Sequence, residues 1–242
     1  MKATLAVDEH HWWYRGRRRV IRAELDRLGV LPGARVLDAG CGSGRTMEEL
    51  VDYGEVSGIE LNEDAAQLAR DRELGEVVVG RLEDLPWDDE TFDLITCLDV
   101  IEHVPNDVEA LVELRRVARP GAWLLVTVPA YQSLWSRHDE ANHHYRRYER
   151  ASLRRAAASA GWEVTRLSSF NSLLLAPAAA VRLAQRRFGV GNGDSNDLAF
   201  GPAWLNDVLE RPLAMEASWL ARGRTLPLGL SLLALLRRPP AA

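Results

Sequence analysis

The sequence predicts an α/β protein: a parallel sheet with helices wound on both faces. Three observations lead there. Short apolar runs alternate with helical patterns from about residue 35 to residue 170. One such run, Val36-Leu37-Asp38, enters the glycine-rich turn Gly40-Cys41-Gly42-Ser43-Gly44, which opens a helix. The 242 residues, 47% hydrophobic, suffice for one such core plus an insertion.

Each element follows from local pattern. Leu5 to Leu28 reads as one or two helices, with Val20, Ile21, Leu25 and Leu28 at helical spacing. Leu31-Pro32-Gly33 breaks the chain before a first strand at Arg35 to Asp38, and Arg45 to Val51 is the helix after the glycine turn. Val56 to Leu61 is a second strand, and Asn62 is the N-cap of a helix reaching Glu73. Glu76 to Val79 and Phe92 to Leu98 are the third and fourth strands. A helix over Asp107 to Val117 stops at Pro120-Gly121, and Trp123 to Val128 is the fifth strand. Tyr131 to Tyr148 is polar and aromatic, too irregular for a core element. Ser152 to Ala160 is a helix, Trp162 to Leu167 a sixth strand and Leu226 to Leu236 the last. Between these last two strands, Asn171 to Ala221 holds two helical stretches around the loop Gly189 to Asn196.

The glycine turn is a ligand site by its chemistry. Gly42 and Gly44 allow the backbone close to a ligand, and the following helix offers free N–H groups. This suits an adenosine-bearing ligand. A dinucleotide turn needs a third glycine where this chain has Arg45, and a phosphate loop needs Gly-Lys-Ser/Thr, whereas Lys2 is the sole lysine. Glu60 closes the second strand at the distance expected of a ribose-binding acid.

Further motifs follow: Leu85-Pro86-Trp87, Phe92-Asp93-Leu94, Leu98-Asp99-Val100-Ile101-Glu102-His103-Val104 and Leu114-Arg115-Arg116-Val117-Ala118-Arg119-Pro120-Gly121. With the glycine turn, they resemble the class I S-adenosylmethionine (SAM) methyltransferases of small molecules, the ubiquinone-pathway O-methyltransferases among them. The resemblance spans about residues 35 to 170. It implies a Rossmann-like seven-stranded sheet with an antiparallel last strand, and SAM across the carboxyl ends of the first strands. It also implies that Asp38, Gly40 and Gly42 hold the methionine part and that Glu60 holds the ribose, with Cys41 and Leu61 as further cofactor-binding residues. Relatives place an aspartate where this chain has Arg81, so Leu82 (through its backbone) and Glu83 are the expected adenine neighbours. Leu98 and Asp99 are expected near the sulfonium.

Methyl transfer from a sulfonium needs alignment, plus a base if the acceptor is a hydroxyl. Two constellations offer one. In Asp99-x-x-Glu102-His103, two carboxylates and an imidazole suit a divalent cation. The competing reading is that Glu102 and His103 only brace a turn, and SAM alone, with no metal, is the expected cofactor set. In the loop after the fifth strand, His138, Asp139, His143 and His144 precede Arg146-Arg147-Tyr148. A histidine there is a candidate base, with Asp139 orienting His138 or His144 and Arg146 or Arg147 holding an anionic acceptor group. The alternative is a salt-bridged loop that merely closes the pocket. His103, His138, Asp139 and His144 are the catalytic candidates.

The N-terminal run His10-His11-Trp12-Trp13-Tyr14-Arg15-Gly16-Arg17 is either a lid, with Tyr14 and Arg17 on the cofactor, or an aromatic helix packed beside the sheet. The expected layout is a lid over residues 1–30, a SAM-binding core over 31–170, a helical cap over 171–225 and the last strand with a tail over 226–242. The cap's apolar residues serve a hydrophobic acceptor, a membrane surface or a second copy of the chain. A net charge of −5 argues against nucleic acid as a partner. The polar start, the short apolar runs and two isolated cysteines point to a cytoplasmic protein. The expected function is SAM-dependent methylation of a small-molecule hydroxyl (sugar, phenolic or lipid-linked). The alternatives are N- or C-methylation and a non-catalytic SAM-binding regulator.

Overall fold

In a computed structural model, residues 11–30, 33–176, 180 and 203–240 are described. Their elements run α1 (Trp12–Leu25), β1 (Ala34–Ala39), α2 (Met47–Leu50), β2 (Gly54–Glu60), α3 (Glu63–Arg70), β3 (Gly75–Val79), β4 (Phe92–Leu98), α4 (Asp107–Val117), β5 (Ala118–Pro129), α5 (Arg137–Ala141), α6 (Arg150–Ser159), β6 (Glu163–Phe170), α7 (Ala203–Ala221) and β7 (Ser231–Arg237). Single 3₁₀ turns sit at Ile101–His103 and Gln132–Leu134.

The sheet has seven strands in the order β3-β2-β1-β4-β5-β7-β6. β1 pairs in parallel with β2 and β4, whereas β7 runs antiparallel to both β5 and β6. The chain winds one way from β1 and the other way from β4. A crevice therefore opens between the carboxyl ends of these two strands, the place where doubly wound sheets bind ligands.

Alternation of side chains builds a core on each face. Leu37, Ile95, Leu124, Val126 and Leu236 join α4 and α6 on one side. Val36, Leu94, Leu125 and Leu235 join α1, α2, α3 and α7 on the other. Both predicted faces are thus covered. Asn62 caps α3 as expected, its side chain accepting from Ala65 N at 3.0 Å.

Several boundaries differ from the sequence reading. Pro120-Gly121 does not stop a helix: α4 ends at Val117 and β5 begins at once. The dipeptide sits in a register shift of the β4–β5 ladder, where strands tolerate proline and glycine. The helix after the glycine turn shrinks to the single turn of α2. The last strand starts at Ser231 rather than Leu226, because Leu226 to Leu230 bond β6's backbone and side chains as a loop. Tyr131 to Tyr148 is irregular, as read, yet it sends Asp139, Arg147 and Tyr148 into the interior. Of the insert's two helical stretches, α7 is described, and the Gly189 to Asn196 loop lies outside the described residues. Among the described residues no helix is long and apolar enough to cross a membrane.

Candidate functional site

At the crevice, Gly40 and Gly42 both hold left-handed backbone, with φ of 83° and 54°. They do so for different reasons. A Cβ on Gly40 would come within 2.4 Å of Val100, so the turn after β4 presses on it, whereas a Cβ on Gly42 would enter open space. Gly42 therefore presents bare backbone to the crevice. Glu60, at the end of β2, ties the turn down: it accepts from Gly42 N and from Asn62 N, each at 2.9 Å. Each oxygen keeps lone pairs for hydroxyl donors.

The turn floors a cavity of about 140 Å³. Tyr14, Arg17 and Arg18 of α1 wall it, opposite Asp38, Gly40, Cys41, Gly42 and Leu98. Seven predicted cofactor residues are thus brought together. Ser43, Arg45 and Thr46 complete the lining. Sequence reasoning missed these, although they immediately follow the glycine turn, and it missed Arg18 beside Arg17.

The wall carries two opposed charges. Asp38 is buried, with Oδ1 accepting from Thr96 Oγ1 at 2.7 Å and Oδ2 left without a hydrogen-bond partner. Burial pushes its carboxyl up to about 6, against the pull of the Thr96 hydroxyl and the Arg17 charge. Arg17 Nη2 pairs with Asp99 Oδ2 at 2.6 Å, while its buried Nε has no partner. An amino-acid end, cation and anion together, fits one carboxylate and one guanidinium with open polar atoms. The donor set therefore fits the methionine part of SAM. Burial raises the Cys41 thiol well above its ordinary range, so that residue is a wall and not a nucleophile.

Three predicted cofactor residues stand apart. Leu61 is exposed at the rim, beside Glu60. Leu82 turns its side chain into the core, and Glu83 pairs with Arg81 at 3.3 Å. The short bridge between Arg81 and Asp84 folds this segment back on itself, so neither residue lines the cavity. The tryptophans of α1 are structural: Trp13 stacks on Phe170 at 5.9 Å, and both pack against the core.

A second cluster lies beyond β4 and β5. Asp139 is fully buried and accepts from Arg147 Nε at 2.6 Å. Its Oδ1 also lies 3.0 Å from His144 Nδ1, so it orients His144 and not His138. His138 instead meets Asn142, one turn along, at 3.2 Å. Burial alone would raise the Asp139 carboxyl, but His144 and Arg147 outweigh it and hold it well below the usual carboxylate range. An ionised Asp139 accepts, so His144 Nδ1 is the donor of this pair, which leaves Nε2 facing away from Asp139.

The His144 ring stands edge-on to His103 at 4.5 Å. Burial, then His144, lowers the basicity of His103. Donor atoms of Glu102, His103 and His144 lie within 4.8 Å of one another. Asp99, expected in that set, is engaged by Arg17 instead, and His144 takes its place. Both predicted anion-holding arginines already have carboxylate partners: Arg147 is buried on Asp139, and the partly exposed Arg146 pairs with Asp107 at 3.0 Å.

Comparison with known proteins agrees with the cofactor half. Residues 37–126 match a methyltransferase domain. The chain is 39% identical over 105 residues to a ubiquinone biosynthesis O-methyltransferase of Hahella chejuensis, covering 40% of this chain and 44% of that protein. It is 34% identical over 104 residues to cycloartenol-C-24-methyltransferase 1 of Oryza sativa subsp. japonica, covering 39% of this chain and 30% of that one. The match thus spans less than half the length of these curated relatives. Phosphoethanolamine N-methyltransferase 2 of Haemonchus contortus, solved with phosphomonomethylethanolamine and S-adenosylhomocysteine, shares the fold at a TM-score of 0.61 and 15% identity, covering 92% of this chain and 52% of that one. Motif, crevice and strand order converge on the methyltransferase domain that residues 37–126 match, and the likeness is to the class I SAM-dependent methyltransferases.

Proposed function

We propose that this chain transfers a methyl group from SAM to a hydroxyl oxygen of a small molecule, with His144 as the base. When bound, the cofactor supplies an activated methyl on its sulfonium. The protein's share is to bind, align and move a proton. Asp38, through its open Oδ2, would hold the ammonium group, Arg17 would hold the carboxylate, and the spare lone pairs of Glu60 would hold the ribose hydroxyls. Tyr14 and Leu98 form part of the cavity wall. At the acceptor side, His144 Nε2 takes the hydroxyl proton while Asp139 stabilises the imidazolium that forms. The observation that carries this reading is the Asp139–His144 pair at 3.0 Å on the loop after β5. Sugar, phenolic and lipid-linked acceptors all carry such a hydroxyl. The exposed Val208, Met215 and Trp219 along α7 are in keeping with an apolar cap over the insert.

A second reading rests on the clustered donors of Glu102, His103 and His144: a divalent cation there would lower the acceptor's pKa in place of a free base. One experiment separates the two. Turnover is measured on a panel of hydroxylated acceptors, with and without chelator. The base reading expects His144→Ala to lower kcat about 10²-fold, S-adenosylhomocysteine affinity to stay unchanged and chelator to do nothing. Loss of activity on chelation, restored by added Mg²⁺ or Zn²⁺, would favour the cation. Unchanged kcat in His144→Ala would retire the base, and no turnover on hydroxyls with turnover on amines would move the acceptor to nitrogen. S-adenosylhomocysteine binding without any turnover would leave a SAM-binding regulator.

A further inference from the structure

The ion pair between Arg17 and Asp99 joins two parts of the molecule that sequence keeps far apart. Arg17 comes from α1, and Asp99 is the first residue after β4. The contact is 2.6 Å, with the Arg17 side chain 13% exposed. Asp99 is held at φ 56°, a left-handed backbone, by its N–H on Thr127 O at 2.9 Å. A non-glycine residue kept there by its surroundings is a constrained position.

Arg17 faces the cofactor cavity, and its unpartnered Nε lies on the same side edge of the guanidinium as the Nη2 that Asp99 holds. A ligand carboxylate that makes a two-point contact on that edge must share Nη2 with Asp99, which sets two carboxylates against each other on one nitrogen, so the two compete for Arg17. The cavity argues the same way. At about 140 Å³ it is smaller than the ~300 Å³ at the lower end of small-molecule sites. Arg17 is part of its wall, so a ligand that outgrows the cavity on this side meets the Arg17–Asp99 pair.

We propose that Asp99 is a built-in stand-in for the cofactor's carboxylate: it holds Arg17 until a carboxylate-bearing nucleoside displaces it. Displacement frees the Asp99 side chain at the start of the turn that carries Glu102 and His103, so occupancy of the cofactor cavity alters the charge beside the acceptor cluster. The proposal rests on the SAM reading and deepens it, by making Asp99 a residue that weakens binding of carboxylate-bearing ligands selectively.

The test compares two nucleosides by calorimetric titration: S-adenosylhomocysteine, which carries the amino-acid end, and 5′-methylthioadenosine, which lacks it. Wild type is set beside Asp99→Asn and Asp99→Gly, both compatible with left-handed backbone, and Arg17→Gln. The expected result is S-adenosylhomocysteine bound about three- to tenfold tighter by both Asp99 variants, with 5′-methylthioadenosine unchanged. Arg17→Gln should weaken S-adenosylhomocysteine alone, and adding Asp99→Asn to it should then change nothing further. Unchanged or weaker S-adenosylhomocysteine binding in both Asp99 variants would overturn the proposal, since Asp99 would then position Arg17 rather than compete for it. Equal tightening of both nucleosides would overturn it too. Wild type that binds neither nucleoside would sink the cofactor reading itself.

Discussion

Asp38 shows how one buried atom sets a condition on binding. On the proposed reading its open Oδ2 accepts from the ligand's ammonium, a role that needs the ionised form. Burial lifts the carboxyl to about 6, well above the ~3.9 of an exposed aspartate. For the empty fold the sign is clear. A raised carboxyl contributes stability that is fully present below ~4 and is lost as pH rises through about 6. Ligand binding runs the opposite way, because only the carboxylate accepts. S-adenosylhomocysteine affinity should fall toward about tenfold per unit as pH drops below about 6. In Asp38→Asn that dependence should vanish and the affinity at pH 7.5 should be lower. Titrations from pH 5 to 8 check both, and a wild-type affinity flat across that range would show that Asp38 does not meet the ammonium.

At the scale of elements, α1 is fastened rather than hinged. Gly16 lets it touch α7: a Cβ there would fall 2.4 Å from Leu213 Cδ1 and 2.6 Å from Leu213 Cβ. Its arginines are satisfied by neighbours, Arg15 and Arg19 by the buried Glu210, Arg18 by Glu49 and Arg22 by Asp52. The basic run near the N-terminus therefore clamps a helix to the fold. Because Leu213 Cβ cannot rotate away, Gly16→Val must push α1 off α7, and overpacking of this kind costs about 1–3 kcal/mol. Tyr14 and Arg17 ride on the same helix, so the shift should also reach the cofactor wall. We expect Gly16→Val to melt several degrees lower and to bind S-adenosylhomocysteine more weakly, with kcat at saturating SAM altered less than KM for SAM. A melting point and KM both equal to wild type would mean that α1 is not set by this contact. The loop after β5 is built in the same spirit. Asp139 gathers Ser136 N, His144 and Arg147, and Tyr145 N donates to Glu102 O, so this loop is tied both to itself and to the turn after β4.

At the scale of the molecule, what could be read from the sequence was what is local. Strand alternation, the Asn62 cap and the Asp38–Gly42 turn depend on residues within a few positions of one another, and all appear where expected. The reversed β7 came from family resemblance, since no short-range signal says which strands flank it. The Arg17–Asp99 pair and the Glu102–His103–His144 cluster were invisible because each joins separate elements across the sheet's carboxyl edge. Asp139 chose His144 over His138 because α5 ends at Ala141 and the chain turns back on it, a loop geometry no periodicity encodes. The same long-range design makes ligand binding a property of the whole fold. The cavity draws its wall from α1, β1, the glycine turn and β4, so it exists only when all four are docked. A ligand that recognises this wall binds the folded chain and not the unfolded one. At a hundredfold excess over Kd it then adds about 2.7 kcal/mol of stability. For a chain of this size that raises Tm by about 5–10 °C. S-adenosylhomocysteine should produce that shift in a thermal melt and NAD none, because Arg45 stands where a dinucleotide turn needs its third glycine. A shift with NAD of equal size would assign the crevice to a different nucleotide, whatever the strand order.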